Sequence, residues 1–135
     1  MEAQLYGFVT DLAVPAVFPK IVALSLALGL GLLIGVQRGW ALRNAADGTR
    51  FAGIRTFGLI GLEGGLAGIL HAIDPNLAII LVAACAILIL LGYARTSRKN
   101  GTVSGTASIV GLLTLGCGYL ATTGHQQVAS VIAVL

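Results

Sequence analysis

Glu63 stands alone in the middle of an otherwise apolar run, residues 56–73. An acid in such a place persists only with a partner, water or a proton, so it can hold a proton or cation, or serve as a hydrogen-bonded strut. The remaining chemistry-bearing residues are sparse. His71 and His125 fall at the ends of apolar runs. A two-histidine metal site would need them to converge with a carboxylate such as Asp74. Nothing in their spacing demands that, and both read as interfacial polar residues. Cys85 and Cys117 lie inside apolar runs, without CxxC spacing or a nearby histidine. They read as small packing residues. Ser25, Thr106, Ser108 and Thr114 are expected to bond backbone carbonyls within helices. No nucleophile–base pair and no GxSxG, HExxH, Walker-type or Rossmann pattern occurs in its required context. The residues therefore point away from an enzyme, and to no metal and no cofactor.

The elements that hold these residues follow from composition. Of 135 residues, 57% are hydrophobic, 10% are charged and 19 are glycine. The mean hydropathy is +0.97. A soluble domain averages about 25% charged residues, and one this small could not hide so much apolar surface in a single core. The composition excludes a soluble enzyme, a disordered regulator and a disulfide scaffold, and implies an all-α, polytopic helical membrane protein. A β-barrel is excluded because the apolar runs do not alternate with polar residues. The net charge of +3 invites a nucleic-acid partner. The basic residues, however, sit in two short clusters between apolar runs rather than on a polar, aromatic-rich face, so no nucleic acid is expected.

Spans are expected at about 20–37, 55–73, 76–94 and 105–121, with an incomplete fifth at 127–135, all within one domain, 1–135. The fifth is too short to cross about 30 Å of hydrocarbon. It is either a span cut short or a half-helix. Arg38, Arg43, Arg50 and Arg55 lie between spans one and two, and Arg95, Arg98 and Lys99 between spans three and four. The positive-inside rule places both loops in the cytoplasm. The N-terminus, the Asp74-Pro75-Asn76 turn and the break at residues 122–127 are then outside. Glu2, Asp11 and the lack of a basic n-region argue against a signal peptide. Leu5, Tyr6, Phe8 and Val9 suggest an amphipathic surface helix, separated from span one by a break at Pro15 and Pro19. Lys20 and Trp40 read as interface anchors, and Asp47-Gly48 as a loop turn.

Small residues recur with helical register. Ala23, Ala27, Gly31 and Gly35 follow at i+4 in span one; Gly58, Gly61, Gly65 and Gly68 share a face of span two. Such stripes let helix backbones approach closely in lipid, within one chain or between chains. Two glycine-lined faces exceed the need of one internal contact, so a homodimer is expected. Glu63 falls opposite the span-two stripe, which makes that span central and points the acid into the bundle toward a partner on another span or a second chain.

The run Gly29-Leu30-Gly31-Leu32-Leu33-Ile34-Gly35-Val36-Gln37-Arg38-Gly39-Trp40, followed by Ala52-Gly53-Ile54-Arg55-Thr56-Phe57, resembles the N-terminal membrane domain of the MgtC/SapB family. That family shows an Ile-Gly-x-Glu-Arg motif closing its first span and an Ala-Gly-Leu-Arg-Thr motif opening its second. The motif positions are thus Gly35, Gln37, Arg38, Gly53, Arg55 and Thr56. The spacing looks most like a branch carrying a further hydrophobic region. Two departures stand out. Gln37 replaces the motif glutamate, and Gly105-Thr106-Ala107 lacks an acid that often opens the fourth span. Glu63, conversely, stands where an apolar residue is expected.

The resemblance implies five membrane helices with the N-terminus outside, in the bacterial inner membrane. It also implies regulation of other membrane proteins, with links to growth at low magnesium and to virulence. Two functions compete on the residues themselves: a non-enzymatic regulator that packs against membrane proteins and lipid, and an ion or small-solute transporter or channel module with its pathway near Glu63. A water-lined cavity at Glu63 would favour transport; dry packing would favour regulation.

Overall fold

The computed structural model describes residues 2–44, 53–100 and 105–135, of which 5–16, 99 and 100 are described by backbone alone. The described residues form five α-helices: α1 (Glu2–Ala41), α2 (Ile54–Ile73), α3 (Pro75–Asn100), α4 (Thr106–Thr122) and α5 (Gln126–Val134). Three segments are long and apolar enough to cross a bilayer, Val17–Ala41, Ile54–Ile73 and Pro75–Arg98. Helix α4 is apolar but shorter, at 17 residues. Four full spans were expected from the sequence; three meet that length.

The connections show why the helices stop where they do. Asp74 closes α2 and opens α3: its own N–H reaches the Leu70 carbonyl at 2.7 Å. Its Oδ1 accepts from the Asn76 and Leu77 N–H groups at 3.0 and 3.4 Å. Pro75 then occupies the first helical position, where its missing N–H costs nothing. At the end of α4, Gly124 takes φ +84, and the His125 N–H returns to the Leu120 carbonyl at 3.0 Å. This is the left-handed glycine stop that satisfies terminal carbonyls before a helix reversal.

Two expectations are corrected by the backbone. Helix α1 runs unbroken through Pro15 and Pro19. Each proline removes one intrahelical donor, a loss an apolar helix tolerates without ending. Helix α3 continues to Asn100, so Arg95, Arg98 and Lys99 ride its last turns rather than a loop. Cations are favoured there by the helix dipole. The Asp47-Gly48 turn, Arg50 and Ala52 lie outside the described residues.

Helix α2 packs against α1, α3 and α4. The α1–α2 seam is built on the small residues of both. A methyl placed on Gly61 would stand 2.5 Å from the Ala27 carbonyl oxygen, one on Gly31 would collide with the Phe57 carbonyl, and one on Gly35 would stand 2.9 Å from the Ile54 Cα. The adjoining face of α2 meets α4: Gly64 abuts the Leu115 carbonyl, and Gly118 abuts the Gly61 carbonyl. These pairings run antiparallel for α1–α2 and parallel for α2–α4. The described residues Arg38, Arg43, Arg55, Arg95 and Arg98 therefore sit at one end of the bundle. Ala129 and Ala133 of α5 join a core with Ala27, Leu30, Cys117 and Ala121.

The surface is apolar all round: Leu59, Ile80, Leu88, Ile109 and Val131 are among the large side chains more than half exposed. In water such a surface would aggregate; in a bilayer it is the solvated face.

Candidate functional site: a lateral groove at Glu63

Glu63 is the tenth residue of the 20-residue α2, about 14 Å from the Ile54 end at 1.5 Å per residue. Its neighbours at three and four residues along the helix include Ile60 and Ala67, both buried. The glycine faces of α2 are taken by α1 and α4, which leaves the Glu63 side to α3. There the acid is half-buried, in a groove of about 310 Å³ lined by Thr56, Ile60, Cys85, Leu88, Ile89 and Gly92, with Leu59 on its rim.

The floor of the groove is Ile60, Cys85 and Ile89, exposed by 5%, 3% and 4%, and its rim is Leu59 and Leu88, exposed by 62% and 67%. It thus opens sideways, toward the apolar surroundings, rather than inward along the bundle. The Cys85 thiol stands beside the Glu63 carboxyl group in this groove. The expectation that Glu63 points into the bundle is corrected here: α1 and α4 take the glycine faces, and α3 leaves the acid half-covered at the flank. Its neighbour on α3 is a cysteine that reads from sequence as a packing residue. Among the described residues, no basic side chain pairs with Glu63.

The other candidates separate. His71 packs edge-on against Tyr119, ring centroids 6.1 Å apart, beside a groove of about 730 Å³ between α3 and α4. His125 precedes α5 and is exposed. Among the described residues, no three His, Cys, Asp or Glu side chains cluster. Ser25 and Thr114 bond carbonyls of their own helices, Ile21 and Val110, and Ser108 that of Gly105 just before α4, all at 2.7–2.8 Å.

Of the motif positions, Gly35 and the Ile54 backbone form the closest approach of α1 and α2 near their basic end. Gln37 and Arg55 are exposed. Gly53 precedes α2 with extended backbone and receives the Phe57 N–H on its carbonyl at 3.2 Å. The arginine that bonds a carbonyl at the end of α1 is Arg43: its Nη1 donates to the Trp40 carbonyl at 3.1 Å. Its guanidinium also lies 4.6 Å from the Trp40 ring centroid. Arg43 is two residues past the helix end and can fold back, whereas Arg38 is still inside α1.

The packing residues missed from sequence are those of α4. Ala107, Gly111, Thr114, Gly118 and Ala121 are all buried, at spacings of four, three, four and three. That heptad signal was available. A second missed feature is Thr122, whose hydroxyl donates to the Gly65 carbonyl at 2.8 Å across the α2–α4 seam. The glycine faces of spans one and two, on which a homodimer was expected, are filled by α1, α2 and α4 of the same chain. That argument for a dimer falls away.

Closely packed apolar helices with exposed Leu and Ile side chains and arginines gathered at one end define a helical membrane protein. The chain belongs to the MgtC family, whose model matches residues 24–135. Comparison with curated proteins and with solved structures gave no match.

Proposed function

We propose that this chain is a non-enzymatic, multi-pass protein of the bacterial inner membrane that regulates other membrane proteins by lateral contact. Its basic end lies in the cytoplasm and its N-terminus outside. The family's link to growth at low magnesium and to virulence extends to it on this reading. The observation that supports it best is the setting of Glu63. The acid sits in a shallow groove with an apolar floor that opens at the side of the bundle. The α1–α2 and α2–α4 seams are closed by backbone-to-backbone contact at glycine. A pathway would need polar groups along the bundle axis; a contact surface needs them on its flank.

The test has two arms. Proteoliposomes carrying the protein, with magnesium- and proton-sensitive dyes inside, are expected to show no flux above empty vesicles. A flux that falls in Glu63→Gln would overturn the regulator and favour the transporter or channel module. In the host bacterium, deletion is expected to impair growth at low magnesium. Wild type should restore that growth and Glu63→Leu should not, at equal membrane levels of the two proteins.

A further inference from the structure

We infer that the α2–α3 groove is a docking site for a transmembrane helix of another protein, one that carries a lysine or arginine at the depth of Glu63. The inference deepens the regulator reading and rests on it. Its basis is charge. Glu63 is half-buried at mid-helix; among the described residues the Cys85 thiol stands beside it and no basic side chain pairs with it. A thiol is a weak donor, and a carboxylate offers about four acceptor positions. Most of the acid's bonding capacity therefore faces the groove, in surroundings where a charge-assisted bond is stronger than in water.

The shape of the site suits such an occupant. Leu59 and Leu88 form an apolar rim, more than 60% exposed on each side, which an incoming helix covers. The groove of about 310 Å³ has room for one long side chain reaching from that helix to the acid. Thr56 and Gly92, toward the basic end, are small enough to let a backbone come close. A lipid acyl chain would fill the same space but bring the carboxylate no further donor. A second copy of this chain lacks the required cation. Lys20 and Arg38 stand at opposite ends of the α1 membrane segment, and the mid-depth regions of α2, α3 and α4 hold no basic residue.

The test uses two synthetic transmembrane peptides of a leucine–alanine repeat, one with a single central lysine and one with leucine there. Each is labelled for energy transfer to the labelled full chain in phosphatidylcholine vesicles. The lysine helix is expected to associate about fivefold more tightly than the leucine helix, the scale of one intramembrane hydrogen bond. The preference should shrink in Glu63→Gln and vanish in Glu63→Leu, with thermal unfolding of both variants near wild type. Should Glu63→Leu fail to fold, the isosteric Glu63→Gln carries the comparison. Equal binding of the two peptides to wild type, or an undiminished preference in the variants, would overturn the inference. So would self-association of the chain that the lysine helix competes away, since it would put a second copy in the groove. The flux assay separates this failure from failure of the regulator reading: a Glu63-dependent flux defeats that reading, whereas loss of lysine preference with no flux defeats only the docking site.

Discussion

Glu63 and Cys85 stand side by side on neighbouring helices, and the contact is modest in energy. Interhelical side-chain bonds in membranes average about 0.6 kcal/mol. Glu63→Gln keeps an acceptor for the thiol, so it is expected to change unfolding in mild detergent by less than about 1 kcal/mol. A larger loss would make the acid a structural necessity rather than a contact group. At the basic end, Arg43 folds back on Trp40 through a carbonyl bond and a ring contact. Arg43→Ala should therefore cost about 0.5–1 kcal/mol, the scale of an exposed cation–π contact. Arg38→Ala should cost less, since its guanidinium bonds no described residue. Thermal unfolding of the two variants side by side checks the order.

Between helices, stability depends on where a single methyl fits. A Cβ at Gly118 would run into the Gly61 carbonyl of α2, while one at Gly116, two residues away, meets nothing within 4 Å. Gly118→Ala is expected to push α2 and α4 apart and cost about 1–3 kcal/mol. Gly116→Ala should be neutral or stabilising by up to about 1 kcal/mol through helix propensity. Gly31 and Gly29 form the same kind of pair on α1: the first touches the Phe57 carbonyl, and the second has open space around it. Circular dichroism melts of the four variants should sort them by contact, not by helix. The turn between α2 and α3 adds a separate test. Asp74→Ala removes the acceptor of two N–H groups at the start of α3 and should cost about 1 kcal/mol.

For the molecule as a whole, the seams determine which residues share an end. Gly35 beside Ile54 at one level and Ala27 beside Gly61 at the next make α1 and α2 antiparallel, so the arginines of both gather together. With that end in the cytoplasm, a cysteine at position 98 in a cysteine-free chain should resist a membrane-impermeant maleimide in intact cells. One at position 76 should react. The opposite pattern would invert the topology. Oligomeric state also changes meaning at this scale. Gly31 and Gly65 serve internal seams, so Gly31→Leu or Gly65→Leu is expected to lower folding yield without selectively dissolving a dimer. Light scattering set against thermal stability distinguishes the two outcomes.

Much of this architecture is legible in one dimension because the bilayer simplifies the problem. An apolar run long enough to cross must be a helix, since no other single segment satisfies its own backbone there. Thus the α2 and α4 bounds, the polar turns and the intramembrane acid could all be read directly. The arginine motifs around Gly35 and Arg55 were enough to mark the family. The stripes of Gly31 and Gly65 likewise announced close packing, but a stripe does not name what it touches. Only the tertiary structure decided that the glycine faces meet inside the chain, that α4 brings Gly118 against Gly61, and that Glu63 faces α3 with Cys85 beside it. Helical periodicity sets the angle of a side chain around its own axis; which neighbour fills that angle depends on the joint packing of four helices. No local pattern in the sequence encodes that choice.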